Sequence, residues 1–181
     1  MKIEDAGSED MAALFAYLNR QLEENGAEGG ALFQPLSRDE CVVSDDLKKR
    51  FSDGVLADRE SSNWRKVWLA KNSSGHIVGH IDLRHYADEH CRHRVLLGMG
   101  VDRAARRQGL GESLLTTAIA FCQNDEKTKW LDLNVIGCNE KAITLYRKLG
   151  FEQLGEISDY YRIDGQSYSE LTFTLPTCHK G

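Results

Sequence analysis

The chain has 181 residues, 41% hydrophobic and 28% charged, with 23 Lys and Arg against 28 Asp and Glu for a formal charge of -5. That length suits one compact domain with a self-sufficient core, the composition is too apolar for a disordered chain, and the acidic balance argues against binding nucleic acid, which favours a basic excess. No apolar run reaches the ~18 residues of a membrane span, no apolar segment follows Met1-Lys2-Ile3-Glu4-Asp5, and five scattered cysteines (Cys41, Cys91, Cys122, Cys138, Cys178) make no disulfide framework, so a protein of the reducing cytoplasm with no membrane role is expected.

In chain order, Ser8 or Asp10 is positioned to cap a first helix in which Met11, Leu14, Phe15, Leu18 and Leu22 recur at helical spacing. Asn25-Gly26 and Gly29-Gly30 end it. From about residue 25 to 63 periodicity is poor apart from a short helix after Ser44, and this stretch is read as a variable cap on the substrate side. Strands are predicted over Val67 to Lys71 and Ile77 to Leu83, joined by a tight Asn72-Ser73-Ser74-Gly75 turn. The next strand, Val95 to Val101, carries Gly98 and Gly100, which suggest a bulge or the close approach of another group.

A helix begins at Leu110, with Leu114, Leu115, Ala118, Ile119, Phe121 and Cys122 on one face, and stops at Asn124-Asp125. Leu131, Leu133 and Val135 alternate as a strand. Asn139 then opens a helix bearing Ala142, Ile143, Leu145, Tyr146 and Leu149, closed by Gly150; Phe151 to Leu154 and Ser169 to Leu175 are the last strands. Helix, cap, three strands, helix, strand, helix and two strands make a mixed α/β plan, read as a single domain over 1–181.

The segment from Val101 to Gly111, between a strand and a helix, is the most informative. Gly109 and Gly111 let the backbone come close to a ligand, and the unbonded N–H groups of the helix's first turn lie at the positive end of its dipole. Such a turn binds phosphate. Arg106 and Arg107 add donors for phosphate oxygens, and Gln108 does not repel them. The alternative is a loop whose glycines serve geometry alone and whose arginines are solvated. A dinucleotide fingerprint is excluded because Leu114 stands where its third glycine belongs, and no Gly-Lys-Ser/Thr of a P-loop occurs.

Arg106-Arg107-Gln108-Gly109-Leu110-Gly111 resembles the pyrophosphate signature Arg/Gln-x-x-Gly-x-Gly/Ala of the GNAT superfamily of N-acetyltransferases, and Asn139 to Phe151 resembles its second signature, Asn-x-x-Ala-x-x-Leu-Tyr-x-x-x-Gly-Phe. Together they cover about residues 95–151, which the resemblance makes the acetyl-CoA-binding core. It implies an α+β fold: a mixed, mostly antiparallel twisted sheet, splayed at its central strands by a bulge, with flanking helices. It implies acetyl-CoA as cosubstrate, with the diphosphate on the amides from Arg106 to Glu112 and the pantetheine along the Val95–Val101 strand. Backbone N–H groups around Met99, Gly100 and Val101 would polarise the thioester carbonyl. Asn139 and Ala142 would lie along the pantetheine, and Tyr146 would protonate the departing sulfur.

The chemistry suits a tyrosine, whose ordinary pKa of about 10 keeps it protonated near neutrality. Tyr146 could equally be a packing residue, and Asn139 a helix cap. The strand Leu96-Leu97-Gly98-Met99-Gly100 lacks the glutamate several family members carry there. Asp82 and His85 are the remaining candidates for the general base, the alternative for each being an exposed strand-end residue. His90-Cys91-Arg92-His93 lacks a second ligand pair, so no metal is expected, and Cys122 reads as core.

The expected acceptor is a primary amine, a small or amino-acid-like metabolite before a protein N-terminus or lysine. It would lie between the first helix, the cap around Phe33-Gln34-Pro35-Leu36 and the far end of the sheet. A non-catalytic acyl-CoA sensor is the rival reading. Exposed sheet edges make a homodimer possible.

Overall fold

The computed structural model describes residues 1–177. The elements are β1 (Lys2–Asp5), α1 (Met11–Glu23), α2 (Asp45–Leu56), β2 (Arg65–Lys71), β3 (Ile77–His85), β4 (Arg94–Val101), α3 (Leu110–Asn124), β5 (Trp130–Ile136), α4 (Glu140–Lys148), β6 (Glu152–Ile163) and β7 (Gln166–Pro176). One sheet runs in the order β1-β2-β3-β4-β5-β7-β6, antiparallel at every step except β4 to β5. This is the expected α+β architecture. Among the described residues, no helix is long and apolar enough to cross a membrane.

The period-2 alternation of the strands sends side chains to two helical layers. Trp68, Ala70, Ile81, Leu83, Leu131 and Leu133 pack with Leu114, Leu115, Ala118 and Cys122 of α3. On the opposite face, Val67 and Leu69 meet Leu14 and Tyr17 of α1 and Phe51 of α2. Leu114 and Leu115 are wholly buried, each contributing about 1.5–3 kcal/mol.

The strand β1 escapes prediction, because four residues, three of them charged, give periodicity nothing to act on. The helix expected after Ser44 is present and 12 residues long, its N-cap hydroxyl accepting from Leu47 N–H at 3.2 Å, and it buries Phe51 against β2. Asp10 does not cap α1 with its side chain: the carboxylate accepts from Gly7 N–H at 3.0 Å and pairs with Lys71 at 2.9 Å. The cap itself is fastened by buried Asn25, whose Oδ1 accepts from the N–H groups of Phe33 (2.8 Å) and Gln34 (3.0 Å) and whose Nδ2 donates to Gln34 C=O (3.0 Å).

The central strands part, although without the expected bulge. The β3–β4 ladder is regular from Gly79↔Val101 to His85↔Val95. Its neighbour fails instead: β4 pairs with β5 only at Arg94↔Trp130, Val95↔Leu131 and Leu96↔Asp132, while β5 stays paired with β7 throughout. Beyond Leu96 the two strands diverge into a V-shaped slot. At its vertex Asp132, 2% exposed, binds Arg94 through both oxygens and accepts from Thr174 (2.6 Å) and Tyr86 (3.0 Å), fastening β4, β5 and β7 together.

Candidate active site

At the open end of the slot, β4 leads through a short helical turn (Arg103–Ala105) into α3. Gly109 caps α3 in the left-handed region (φ 78°), which glycine adopts without the Cβ clash other residues meet. The first helical bond runs from Ser113 N–H to Gly109 C=O at 3.0 Å, so the N–H groups of Leu110, Gly111 and Glu112 have no partner within the helix. Gly111 fits where a Cβ would lie 3.2 Å from Leu145 and 3.5 Å from Met99, letting α3 sit tightly on α4 and β4.

The polar side chains of this loop divide the work. Arg106 braces it, donating from Nε to Val101 C=O and from Nη2 to Glu24, each at 2.9 Å. Gln108 closes the turn by donating to Ala104 C=O at 3.0 Å and does not border the cleft. Arg107, held in the left-handed region (φ 62°), and Arg103 do border it.

In an antiparallel ladder, mutually bonded pairs alternate with unbonded ones. Asp102 N–H donates to Val78 C=O at 2.9 Å, which puts Gly100↔His80 and Gly98↔Asp82 in the bonded set. The N–H groups of Gly98 and Gly100 therefore point to β3, and those of Leu97, Met99 and Val101 point across the slot. Gly100, expected among the slot donors, is thus replaced by Leu97.

Across the slot, Asn139 caps α4, its side chain accepting from Ala142 N–H at 3.4 Å, and both residues border the cleft. Tyr146 borders it as well while packing between Phe151 and Phe173 at ring-centroid distances of 5.8 and 6.2 Å. It is 7% exposed, and burial raises its pKa above the ordinary phenol value, so the hydroxyl stays protonated at any physiological pH.

The face of the sheet turned toward α1 and the cap carries a different set. Arg84 borders the cleft from β3, Gly98 from β4, Asn134 from β5, Glu170 from β7 and Tyr161 from β6, with Tyr161 donating its hydroxyl hydrogen to Glu170. The whole cleft holds about 1830 Å³, well above the ~300–1,000 Å³ of an ordinary small-molecule site.

Neither candidate base borders this cleft. Asp82 is not an exposed strand-end residue: it is 3% exposed, and its Oδ1 accepts from Arg65 at 2.7 Å and Arg84 at 3.2 Å. His85 is buried on the α3 side, its ring 5.1 Å from Trp64 and its Nε2 2.8 Å from Arg59 C=O. Among the described residues, no group of three His, Cys, Asp or Glu is gathered as a metal site. Cys41, Cys91, Cys122 and Cys138 are free thiols, burial pushes Cys122 up to about 12, and Cys178 lies outside the described residues.

Sequence reasoning does not single out Arg84, Asn134, Tyr161 or Glu170. Their signal is present as the polar phase of strand alternation, since Asn134 separates Leu133 from Val135 and Glu170 precedes Leu171. Periodicity assigns them to a face without saying that this face borders a cleft.

Residues 33–151 match a family model described as the Acetyltransferase (GNAT) family. The N-alpha-acetyltransferase RimI of Mycobacterium tuberculosis is 27% identical over 108 residues, 60% of this chain and 66% of that protein. The L-amino acid N-acetyltransferase AaaT of Escherichia coli is 28% identical over 92 residues, 51% of this chain and 57% of that protein. The matches to curated relatives span 36% to 66% of those proteins' lengths. Among solved structures, an acetyltransferase of the GNAT family from Streptococcus pneumoniae superimposes with a TM-score of 0.81 at 24% identity, covering 97% of this chain and 98% of its own. A GNAT superfamily phosphinothricin acetyltransferase from Sinorhizobium meliloti, in complex with AcCoA, gives 0.76 at 18% identity over 97% and 87%. At those identities the likeness is one of fold.

Proposed function

Because the chain belongs to the GNAT acetyltransferase family, whose model spans residues 33–151, we propose that it transfers an acetyl group from acetyl-CoA to a primary amine of a small, amino-acid-like metabolite. The slot between β4 and β5 carries this reading: a helix end with unbonded N–H groups lies at its mouth, backbone N–H groups line one wall, and a protonated tyrosine borders it.

The diphosphate of acetyl-CoA rests on the N–H groups of Leu110, Gly111 and Glu112, with Arg103 and Arg107 beside it. The pantetheine takes the place of the missing β4–β5 rungs along Leu97 to Val101 and past Asn139 and Ala142. At its end the thioester carbonyl oxygen accepts from slot-facing N–H groups of β4, which stabilise the charge that develops as the amine attacks. The new C–N bond forms as the C–S bond breaks, and Tyr146 protonates the leaving sulfur. The nitrogen gives up its proton, through solvent in the open cleft, toward Glu170, one of the carboxylates that border it. Solvent then restores both groups, and no covalent enzyme intermediate is needed.

A peptide N-terminal amine is the second reading, favoured by the similarity to an N-alpha-acetyltransferase. Thiol release from acetyl-CoA, measured over a panel of amino acids, simple amines and short peptides, tests both. Tight acetyl-CoA binding with no thiol release on any of them would overturn the catalytic reading in favour of an acyl-CoA sensor.

A further inference from the structure

We propose that Arg84 determines acceptor specificity by holding the α-carboxylate of a free amino acid, so that the adjacent amine is presented to the slot. This deepens the acetyl-transfer reading and rests on it.

The charges on the β3 side of the cleft do not balance. Asp82 Oδ1 accepts from two guanidiniums, Arg65 at 2.7 Å and Arg84 at 3.2 Å. Arg65 and Asp82 are both buried and neutralise one another, whereas the Arg84 side chain is 32% exposed and borders the cleft. One positive charge is therefore left over in a partly desolvated position, where an anionic ligand is most strongly favoured. Arg84 uses only Nη1 on Asp82. Among the described residues its Nε and Nη2, whose parallel N–H groups match a carboxylate's two oxygens, make no hydrogen bond.

Its position separates it from the diphosphate site. Arg84 pairs with Leu96, the last rung before β4 and β5 part. A Cβ on Gly98 would lie 3.1 Å from Arg84 Nη1, so the guanidinium lies against the strand at the narrow end of the slot. The α3 end of the ladder lies at Gly79↔Val101, five residues along β3 and so about 17 Å away. The two cationic regions thus serve different anions.

The opposite bank has the complementary sign. Glu170, with Tyr161 donating to it, borders the same face from β7. Glu170 itself lies opposite Ile136, four residues along β5 from Asp132 at the vertex, so it gives the far bank its sign, while a zwitterion anchored by its carboxylate at Arg84 keeps its nitrogen at the narrow end of the slot. A peptide N-terminus has no α-carboxylate to offer there.

The test compares amino acids with their α-carboxamides and with dipeptides beginning with the same residue, for the wild type, Arg84→Lys and Arg84→Gln. Thiol release gives kcat/KM. The wild type is expected to favour the free acid over the carboxamide by about 100-fold, the order of a charged two-point contact. Arg84→Gln should bring that ratio toward one, chiefly through the KM of the free acid, and Arg84→Lys should keep part of it. A wild type that uses carboxamides or dipeptides as well as free acids, or an acid-to-carboxamide ratio unmoved in Arg84→Gln, overturns the proposal. Calorimetric titration of the same compounds into the CoA-loaded protein separates the two readings. Arg84-dependent binding of free acids without thiol release would retain the anchor and remove acetyl transfer, and thiol release without carboxylate preference would do the reverse.

Discussion

Arg94 grips Asp132 at two points, Nε to Oδ2 at 2.7 Å and Nη2 to Oδ1 at 2.6 Å, at the last rung that joins β4 to β5. The pair fixes where the slot begins. Asp132→Ala leaves the guanidinium, Thr174 and Tyr86 without their acceptor. Removing one partner of a fully buried pair costs about 3–5 kcal/mol. Arg94 keeps 26% of its side chain exposed, so the expected loss is about 2–3 kcal/mol, read by urea denaturation. An unchanged midpoint would show that the vertex is held by other contacts.

Tyr146→Phe removes a hydroxyl and preserves the packing between Phe151 and Phe173. If the hydroxyl protonates the departing sulfur, kcat falls by about 10²–10⁴-fold while the dissociation constant of acetyl-CoA barely moves. Equal losses in binding and turnover would point to a packing role.

His80 is buried behind Gly100, 3.4 Å from the Tyr17 hydroxyl. Burial depresses its pKa to about 4, with Arg65 acting in the same direction and Asp82 opposing. The unfolded chain takes up this proton below about pH 6.5 and the folded chain does not until about pH 4, so stability falls as pH drops through that interval. The loss attributable to this one group is about 3 kcal/mol. Denaturation curves for wild type and His80→Gln should therefore diverge toward acid pH, the wild type losing more. Parallel curves would show that His80 ionises without penalty.

Among the described residues no atom lies within 4 Å of where a β-carbon on Gly109 would stand, yet its φ is 78°. Gly109→Ala therefore meets backbone strain alone, about 1–2 kcal/mol. Gly109→Asn should lose less, since asparagine visits that conformation more readily. Chemical denaturation of the two variants orders them, and an equal loss would mean that the loop resists both for another reason.

The parts of this molecule that follow from local rules are legible in the sequence. Met11 to Leu22, Leu110 to Cys122 and Asn139 to Leu149 carry helical periodicity with stop signals, and each is a helix in the structure. The strand–helix glycine loop is readable because Gly109 announces both a left-handed turn and an unbonded first helical turn. Pairing across the chain is less visible. Gly98 and Gly100 suggest a bulge when read locally, whereas they make room for Asp82, Arg84, Tyr17 and His80, side chains distant from them in sequence. The same limit explains Asp82: nothing local shows that Arg65, from the neighbouring strand, reaches it.

Glycine at position 98 also constrains how this protein can change. A β-carbon there would lie 2.6 Å from Asp82 Oδ2 as well as crowding Arg84, so positions 82, 84 and 98 are mutationally coupled. Randomising codon 98 alone should return glycine almost exclusively, while a library spanning all three codons can admit a side chain on β4 once the aspartate and the arginine have both withdrawn. A change in this part of the cleft would then come by concerted exchange of the three positions rather than by single steps.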